Sequence, residues 1–401
     1  PPADLLEGVR VLDLTNVLSG PYATYQMAML GAEVIKVENP AGGDLARSLG
    51  ASPALNAQLM GTSFLAQNAG KKSVTLDLKK PQGTALFARL IETADVLIEN
   101  YRPRVMSRLG FAYDAVRAIN PGLLYCAISG FGQEGPLSGN PAYDQIVQGY
   151  SGVMSITGDS ESAPLRVGYP LCDTLGGMGA AFAIASALFR RERTGKGCYI
   201  DLSMLDSTIS ALGWAVSNYL IAGVEARPIG NQNMTAAPSG AFRTGDGPIN
   251  IAANKQEQFE ALCKIVDLPE LATDPRFAER EARKTNRHEL NRLLEGALAK
   301  KSAQEWEALL NAAGIPAGRI LTIPEVLAHP QIAARDLVQQ LPLDQGALEH
   351  VRVVRAGFAL GDGQPGARSA PPVLGADNDS IYGALGLDEA ALSDLKSSGV
   401  I

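Results

Sequence analysis

The residue of this chain best suited to covalent chemistry is an aspartate in a glycine-rich segment. Asp173 follows Pro170 and precedes Gly176, Gly177 and Gly179. A carboxylate can act as a nucleophile without a general base, because its ordinary pKa of about 3.9 leaves it ionised at neutral pH. The glycines would let the backbone approach a ligand closely. On this segment alone, capping of the apolar helix that begins here is the commoner role, and the helix dipole would favour the ionised form.

Histidine chemistry is confined to the last third of the sequence. The three histidines are His288, His329 and His350, and none has the spacing of a metal site. A Ser-His-Asp triad would need one of them to fold back onto the first half. The four cysteines form no C-x-x-C pair, so we expect no zinc site and no disulfide framework. The sequence therefore predicts no metal, and its cysteine usage fits a reducing cytoplasm.

Two basic segments stand out in an acidic chain. Residues 68–79 include Lys71 and Lys72, and residues 99–104 include Arg102 and Arg104. Lys and Arg side chains are charge-assisted donors that can hold phosphate groups. A solvated charged surface explains each segment equally well when it is taken alone. The composition leaves both interpretations open.

Residues 130–135 match the pattern G-x-G-x-x-G of dinucleotide-binding proteins and follow a predicted strand. Such a site requires a helix to begin at this point, so that its N–H groups meet the pyrophosphate. Pro136 and the turn-forming residues 138–141 follow instead. A nicotinamide or flavin site is therefore not favoured.

These residues lie among alternating strand-like and helix-like segments. Alternation of this kind predicts βαβ units and a mainly parallel sheet. The apolar run 176–189 is too short to span a bilayer, so we expect a buried helix there. Residues 224–248 look like a loop or linker, and residues 255–314 like a smaller helical lobe. The predicted strands are residues 9–14, 33–37, 73–78, 95–98, 123–129, 199–202, 317–320 and 351–358, and the main predicted helices are residues 21–30, 81–93, 175–193 and 203–221.

Length and composition set the outer limits. The chain has 401 residues, of which 46% are hydrophobic and 19% charged, with a net charge of −7. This length favours two lobes over one compact core. A pI near 5.2 argues against a general nucleic-acid binder. The acidic N-terminal residues Asp4 and Glu7 do not fit a signal peptide.

The order of its motifs makes the chain resemble the class III CoA-transferases, the group that contains formyl-CoA transferase and carnitine CoA-transferase. No single motif is decisive, whereas their order is highly specific. The resemblance is carried by residues 6–13 with Gly20 and Pro21, then 31–38, 68–79, 99–104, 141–144, 151–152, 194–197 and 200–201.

The resemblance implies roles for individual residues. The nucleophilic aspartate of the family falls on Asp173, and an acidic residue near the reaction centre falls on Asp144. No metal or redox cofactor is implied beyond the substrate, coenzyme A or acyl-CoA. The positions that contact CoA fall on Val17, Leu18, Ser19, Leu76, Lys79, Asn100, Tyr101 and Arg108, with Lys71, Lys72 and Arg104 as further phosphate contacts.

The same resemblance implies an α/β architecture. We expect a Rossmann-like large domain formed by residues 1–222 and 326–401, with a linker and a smaller α+β domain over residues 223–325. Two such chains would interlock as rings in an obligate homodimer. The expected partners are an acyl-CoA and a small carboxylic acid, with no nucleic acid and no membrane, in the cytoplasm.

Three departures and alternatives qualify this interpretation. Formyl-CoA transferase has an oligoglycine loop where residues 230–234 here read Gly-Asn-Gln-Asn-Met, and several relatives carry an Arg at the position of Asn39. The α-methylacyl-CoA racemases of the same fold use a His-Asp pair where this chain has Tyr143 and Asp144. A racemase needs bases on both faces of the α-carbon. A transferase acting on small acids such as dicarboxylates is therefore preferred over a racemase or a non-catalytic CoA-binding protein.

Overall fold

The computed structural model describes residues 4–343, 348–361 and 363–401, which form two compact units. The first unit comprises the described residues up to Val153 together with Arg166–Glu225 and Gln331–Ile401. The second comprises Met154–Leu165 and Ala226–Pro330. Residues 154–165 were expected in the large domain, but their contacts group them with the second unit.

The strands of the described residues form one parallel and two antiparallel sheets. The parallel sheet has the order β3-β2-β1-β4-β5-β6, the second sheet pairs β10 with β11, and the third has the order β7-β8-β9. Their bounds are β1 Arg10–Asp13, β2 Glu33–Glu38, β3 Lys72–Thr75, β4 Val96–Glu99, β5 Leu124–Ser129, β6 Cys198–Ser203, β7 Ser239–Arg243, β8 Pro248–Ala252, β9 Ala317–Arg319, β10 Val338–Pro342 and β11 His350–Val354.

The helices alternate with the strands of the parallel sheet, which confirms the predicted α/β fold. Their bounds are α1 Ser19–Met29, α2 Pro53–Ala57, α3 Thr62–Leu65, α4 Pro81–Glu92, α5 Val105–Arg108, α6 Tyr113–Ile119, α7 Asp144–Ser151, α8 Leu171–Thr194, α9 Met204–Ala211, α10 Trp214–Ala222, α11 Gln256–Ile265, α12 Arg280–Thr285, α13 Arg287–Leu298, α14 Ala303–Ala312, α15 Ile323–Leu327, α16 Pro330–Ala334, α17 Asn378–Ala384 and α18 Glu389–Ser397.

The parallel sheet is buried on both faces because its strand residues are apolar at successive positions. Val11 of β1 packs with α1 and α8 on one face, whereas Leu12 packs with α4 and the C-terminal helices on the other. Side chains alternate between the two faces of a strand, so a doubly covered strand is a nearly continuous apolar run. The sheet order reverses between β1 and β4, and ligands of such folds bind outside the carboxyl ends of the strands at this point.

Helix α8 is longer than the sequence suggested. It spans 24 residues and is long and apolar enough to cross a membrane by length and composition alone. The apolar run 176–189 is itself too short for a bilayer, but the helix begins before this run and ends after it. Ala180 and Ile184 are fully buried against the sheet, as in the core helix of a folded domain. The opposite face, including Phe182 and Phe189, is exposed.

Two other predictions are wrong. The helix expected over residues 203–221 is divided into α9 and α10 by Gly213, whose φ of 52° lies in the left-handed region that glycine tolerates. The linker expected over residues 224–248 contains β7, which pairs with β8. The second unit is a three-stranded sheet packed on helices, with Phe242, Phe259 and Trp306 in its core.

Candidate functional site

A cleft of about 470 Å³ lies at the carboxyl edge of the parallel sheet in the first unit. The loops that follow β1, β4 and β5 form it, so it occupies the point where the strand order reverses. Its volume is typical of a small-molecule site. The lining residues are Asn16, Val17, Leu18, Ser19, Gly43, Leu45, Asn100, Tyr101, Arg102, Ile128, Ser129, Gly130, Pro141, Ala142, Tyr143, Asp173 and Met204.

The loop after β1 has an unusual backbone conformation at Val17. Its φ of 68° is left-handed, which is a strained conformation for a β-branched residue. The backbone N–H of Val17 donates to Asp44 Oδ1 at 2.9 Å. The side chain of Asn100 also holds this loop, because it accepts from the Asn16 N–H and donates to the Asn16 carbonyl, each at 2.8 Å. The loops after β1 and β4 are therefore fixed to each other before any ligand arrives.

Three carboxylates and three cations lie buried behind this loop, and we call them the buried ion cluster. Its ion pairs join Lys36 Nζ to Asp44 Oδ2 at 2.9 Å, Lys71 Nζ to Asp13 Oδ2 at 3.1 Å and Arg47 Nη2 to Glu38 Oε2 at 2.7 Å. Lys36 Nζ also donates to the carbonyl of Thr15 at 2.7 Å. The cluster thus connects three strand ends to the loop that carries Val17. Its members are Asp13, Lys36, Glu38, Asp44, Arg47 and Lys71, each at most 4% exposed.

The acids of this cluster are held in their ionised form. Burial acts to raise the pKa of Asp13, but Lys36, Lys71 and the hydroxyls of Thr15 and Thr24 together hold it well below its usual range. Burial likewise opposes ionisation of Asp44, and Lys36 with the N–H groups of the loop lowers its pKa. Buried carboxylates whose pKa is lowered by such partners stabilise a fold above their ordinary pKa.

Asp173 is the third residue of α8 and lines the cleft. The helix begins at Leu171, and the residue before it is Pro170, so Asp173 is not the cap that its segment suggested. Asp144 of α7 performs that role across the chain: its Oδ1 accepts from the N–H of Cys172 at 2.7 Å and from the N–H of Asp173 at 3.2 Å. Asp144 therefore satisfies the free helix donors that a carboxylate at this end would otherwise use.

The electrostatic setting of Asp173 is opposite to that expected. Burial, and secondarily the negative charge of Asp144, raise the pKa of Asp173 to about 7. No cation offsets either effect among the residues that the structure describes. The N–H groups of Cys172 and Asp173 at this end of α8 donate to Asp144 and not to the side chain of Asp173. A carboxylate with a raised pKa and no hydrogen-bond donors is more basic and more nucleophilic than one held by partners.

The glycines after Asp173 allow close packing within the protein. A Cβ atom at Gly177 would lie 2.4 Å from the carbonyl oxygen of Ser19, and one at Gly176 would lie 2.9 Å from Met204 Cγ. We expected these glycines to let the backbone approach a ligand, but they bring α8 against the start of α1 instead. The result is that Asp173 and the loop after β1 line the same cleft.

The structure brings together some of the predicted binding residues and separates others. Val17, Leu18, Ser19, Asn100 and Tyr101 line the cleft with Asp173. Lys79, Arg104 and Arg108 are exposed but outside its lining, and Asp144 lies behind Asp173.

Three residues that were predicted to contact CoA have side chains that are buried or already paired within the protein. Lys71 is only 3% exposed, and its ammonium donates to Asp13, Thr24 and Asn68, so it is a core residue rather than a phosphate contact. Leu76 is buried in the core beneath α4. Lys72 pairs with Glu33 at 2.7 Å on the surface.

Two features of the cleft were not predicted: the presence of Arg102 in its lining and the unpaired state of the Ser19 hydroxyl. Arg102 lines the cleft and is its one cation among the described lining residues. Its position inside the basic segment 99–104 was a usable signal. Ser19 lines the same cleft, and its hydroxyl is buried and has no hydrogen-bond partner in the described part of the chain. A buried hydroxyl without a partner is costly, so it is available to a bound ligand.

The second unit has its own open cleft of about 480 Å³. Asn231, Gln232 and Asn233 line it, in the segment where formyl-CoA transferase has oligoglycine, together with Asn250. None of its lining residues is ionisable. The groups able to do covalent chemistry therefore lie in the cleft of the first unit.

Known proteins resemble this chain in sequence and in fold. Residues 6–378 match the family described as CoA-transferase family III. The chain is 44% identical to the acetyl-CoA:oxalate CoA-transferase of Acetobacter aceti, over 84% of this chain and 86% of that protein. It is 38% identical to the succinyl-CoA:glutarate CoA-transferase of Mus musculus, over 99% of this chain and 90% of that protein. A CAIB/BAIF family protein from Brucella suis has a TM-score of 0.84 at 34% identity, covering 95% of this chain and 99% of that one.

Proposed function

This chain belongs to CoA-transferase family III and is an enzyme of the CoA-transferase type, and we propose that Asp173 is the carboxylate that carries first the acyl group and then CoA. The observation that supports this role is its setting: a half-buried carboxyl that lines the cleft of the first unit, with no hydrogen-bond donor among the described residues and with a second acid beside it. Such a group is poised to lose its charge by forming a covalent bond.

The proposed reaction proceeds through two neutral forms of Asp173. A carboxylate oxygen of Asp173 bonds to the thioester carbonyl carbon, the C–S bond breaks and CoA leaves as thiolate. The thiolate then attacks the aspartyl carbonyl of this anhydride, and the donor acid leaves as a carboxylate. The acceptor carboxylate repeats the two steps in reverse and restores Asp173. Thioester is exchanged for thioester, so the reaction needs no metal or redox cofactor beyond the CoA substrate.

Ser19 is the residue that we propose to stabilise the developing oxyanion. Backbone N–H groups beside Asp173 were expected to do so, but those of Cys172 and Asp173 are already bound to Asp144. Ser19 lines the cleft, and its hydroxyl has no hydrogen-bond partner among the residues that the structure describes. A donor preorganised in a dry site stabilises charge more strongly than one in water.

The acceptor that we propose is a small dicarboxylate. The relatives that support this are named for oxalate and glutarate, both dicarboxylic acids. Arg102 supplies a guanidinium at the cleft, and guanidinium groups bind carboxylates in bidentate geometry. The distal carboxylate of the acceptor and a phosphate of CoA are both ligands that Arg102 could hold.

A matrix of CoA esters and carboxylic acids tests the activity. We expect transfer from succinyl-CoA or acetyl-CoA to at least one dicarboxylate, and a loss of at least about a thousandfold in Asp173→Asn. Asp114→Asn is the matched control, because Asp114 lies in the first turn of α6 but is exposed. Full turnover in Asp173→Asn would sink the assignment. Exchange of solvent deuterium into a 2-methylacyl-CoA without any acceptor would support the racemase alternative instead.

We also propose that two copies of the chain associate. Helix α10 has no buried residue, and its Trp214 and Ile221 are 78% and 86% exposed. Phe182 of α8 is 75% exposed. Exposed apolar residues in this number mark an interaction surface, and the family resemblance makes a second copy the occupant. Sedimentation analysis should give a dimer, and a monomer at micromolar concentration would contradict the proposal.

A further inference from the structure

Gln148 of α7 is a buried amide that no step of the proposed reaction uses. Its side chain is completely buried and makes three hydrogen bonds. Nε2 donates to Asp144 Oδ2 at 2.8 Å and to the carbonyl of Tyr169 at 3.2 Å, while Oε1 accepts from the N–H of Val167 at 2.8 Å. The nitrogen of the amide thus binds an acid, and both its nitrogen and its oxygen bind the segment that leads into α8.

The acid that Gln148 holds is the one that faces the nucleophile. Asp144 directs Oδ1 to the N–H groups of Cys172 and Asp173 and Oδ2 to Gln148. Arg166 lies 3.9 Å from Oδ2, beyond hydrogen-bond distance, and its side chain is 46% exposed. The neutral donor therefore fixes the orientation of this carboxylate, while the nearby cation makes only a loose, solvent-screened contact.

We propose that Gln148 is a positioning residue of the transferase reaction: it holds Asp144 against the first turn of α8, so that Asp173 faces a negative charge and has no donor among the residues described. This inference rests on the proposed covalent role of Asp173. When Asp173 bonds to the acyl carbon and CoA leaves as thiolate, the charge of Asp173 moves to sulfur. Repulsion from Asp144 is then relieved, and it stays relieved in the aspartyl thioester. Gln148 thereby shifts the balance between free and acylated Asp173 towards the acylated form.

Other titratable groups near Asp173 do not replace this effect. Burial and Asp144 are the causes that raise the pKa of Asp173. Neutral groups on the surrounding elements cannot oppose the ionisation of Asp173 as a second carboxylate does. The two other charged groups, Asp206 and Arg166, are exposed to solvent, which screens their charges. The groups concerned are Asp144 on α7, Arg166 and Tyr169 before α8, Cys172 on α8, Tyr22 on α1, Tyr143 at the cleft and Asp206 on α9.

The test replaces Gln148 with leucine, which has similar size but none of the three hydrogen bonds. We expect kcat to fall about tenfold, the effect of losing one hydrogen bond to a charged group, with KM for acyl-CoA within about twofold of wild type. The acidic limb of the kcat–pH profile should move to lower pH, because a released Asp144 would free the helix N–H groups for Asp173. Gln339→Leu is the matched control, since Gln339 bonds both backbone groups of Ala367 in the same unit, on β10.

The outcomes separate this inference from the proposed function. Gln148→Leu with the pH profile and kcat of wild type, or with changes equal to those of Gln339→Leu, overturns the positioning role. If Gln148→Leu does not fold, Gln148→Glu is measured instead: it keeps the acceptor for Val167 and places a second negative charge beside Asp144. A wild-type kcat and profile in Gln148→Glu overturns the inference equally. Failure of the wild-type enzyme to form any adduct at Asp173 overturns both proposals, whereas a normal wild-type adduct leaves Gln148 alone in question.

Discussion

Two acids at the same edge of the sheet show what decides the state of a buried carboxylate. Asp13 ends β1 and accepts hydrogen bonds from Lys71, Thr15 and Thr24, and its pKa is held low although it is completely buried. Asp173 is less deeply buried, yet burial and then the charge of Asp144 raise its pKa, and no cation among the described residues offsets them. Burial acts in the same direction on both groups, so the partners make the difference.

The comparison also separates two tasks of the site. The buried ion cluster holds the loop after β1 in a strained conformation at Val17, which stabilises the shape of the cleft. The first turn of α8 leaves one carboxyl without donors among the described residues. One region uses charge pairs to fix geometry, and the other lacks them beside Asp173, which suits the nucleophilic role that we propose for it.

The largest expected effect is loss of stability when the buried ion cluster is broken. Lys36→Met leaves Asp13 and Asp44 without a shared cation, and we expect the free energy of unfolding to fall by about 3–5 kcal/mol. Lys72→Met is the control, because Lys72 makes an exposed pair with Glu33 that contributes roughly 1 kcal/mol or less. Urea denaturation measures both. Equal losses in the two variants would contradict the assigned role of the cluster.

A smaller effect is expected on the affinity for CoA when the loop after β1 loses its hydrogen bond to Asp44. Asp44→Ala removes the acceptor for the N–H of Val17, and we expect the Kd for CoA to rise about tenfold. Asp44→Asn retains an oxygen for that N–H and should bind CoA more tightly than Asp44→Ala. Titration calorimetry distinguishes them. Unchanged affinity in Asp44→Ala would show that this loop does not hold CoA.

The smallest expected effect is a gain in stability from removing the nucleophile. The pKa of Asp173 is higher in the folded protein than in the unfolded chain, so between about pH 4 and pH 7 the folded state keeps a proton that the unfolded chain releases. Stability therefore falls as pH rises through that window. Asp173→Asn should raise Tm by about 2–4 °C at pH 8 and have little effect at pH 4.

Asp13→Asn provides the opposite case. The pKa of Asp13 is lower in the folded state, so its stabilising contribution is present above about pH 4 and is lost as pH falls. Asp13→Asn should therefore lower Tm at pH 8. Thermal scans at both pH values measure the pair, and a shift of the same sign in both variants at pH 8 would remove the distinction between the two regions.

Local sequence patterns predicted most of the fold but little of the electrostatics. The apolar segments gave the six parallel strands to within a few residues, because a doubly covered strand is apolar at successive positions. The division of residues 203–221 was missed because one glycine in an apolar run does not by itself indicate a break. The strand β7 was missed because Gly240 and Ala241 give it no alternation of apolar and polar residues.

The candidate site depended on contacts between distant positions. Asp144 caps α8 from 28 residues away, and Lys71 pairs with Asp13 from 58 residues away. Nothing in the spacing of either segment shows these partners, so the sequence could not show that Asp144 rather than Asp173 caps α8, or that Lys71, expected as a phosphate contact, is buried. The motif order identified Asp173 as the family's nucleophilic position, which stays a prediction, whereas its raised pKa depends on contacts that only the fold supplies.

The most direct test of the central claim is mass spectrometry of the protein after incubation with a donor acyl-CoA in the absence of acceptor. The account predicts a CoA adduct on the peptide that contains Asp173, removed by addition of the acceptor dicarboxylate and absent in Asp173→Asn. The adduct should form more slowly in Gln148→Leu than in wild type. An adduct on another residue, or transferase turnover without any adduct on Asp173, would contradict it.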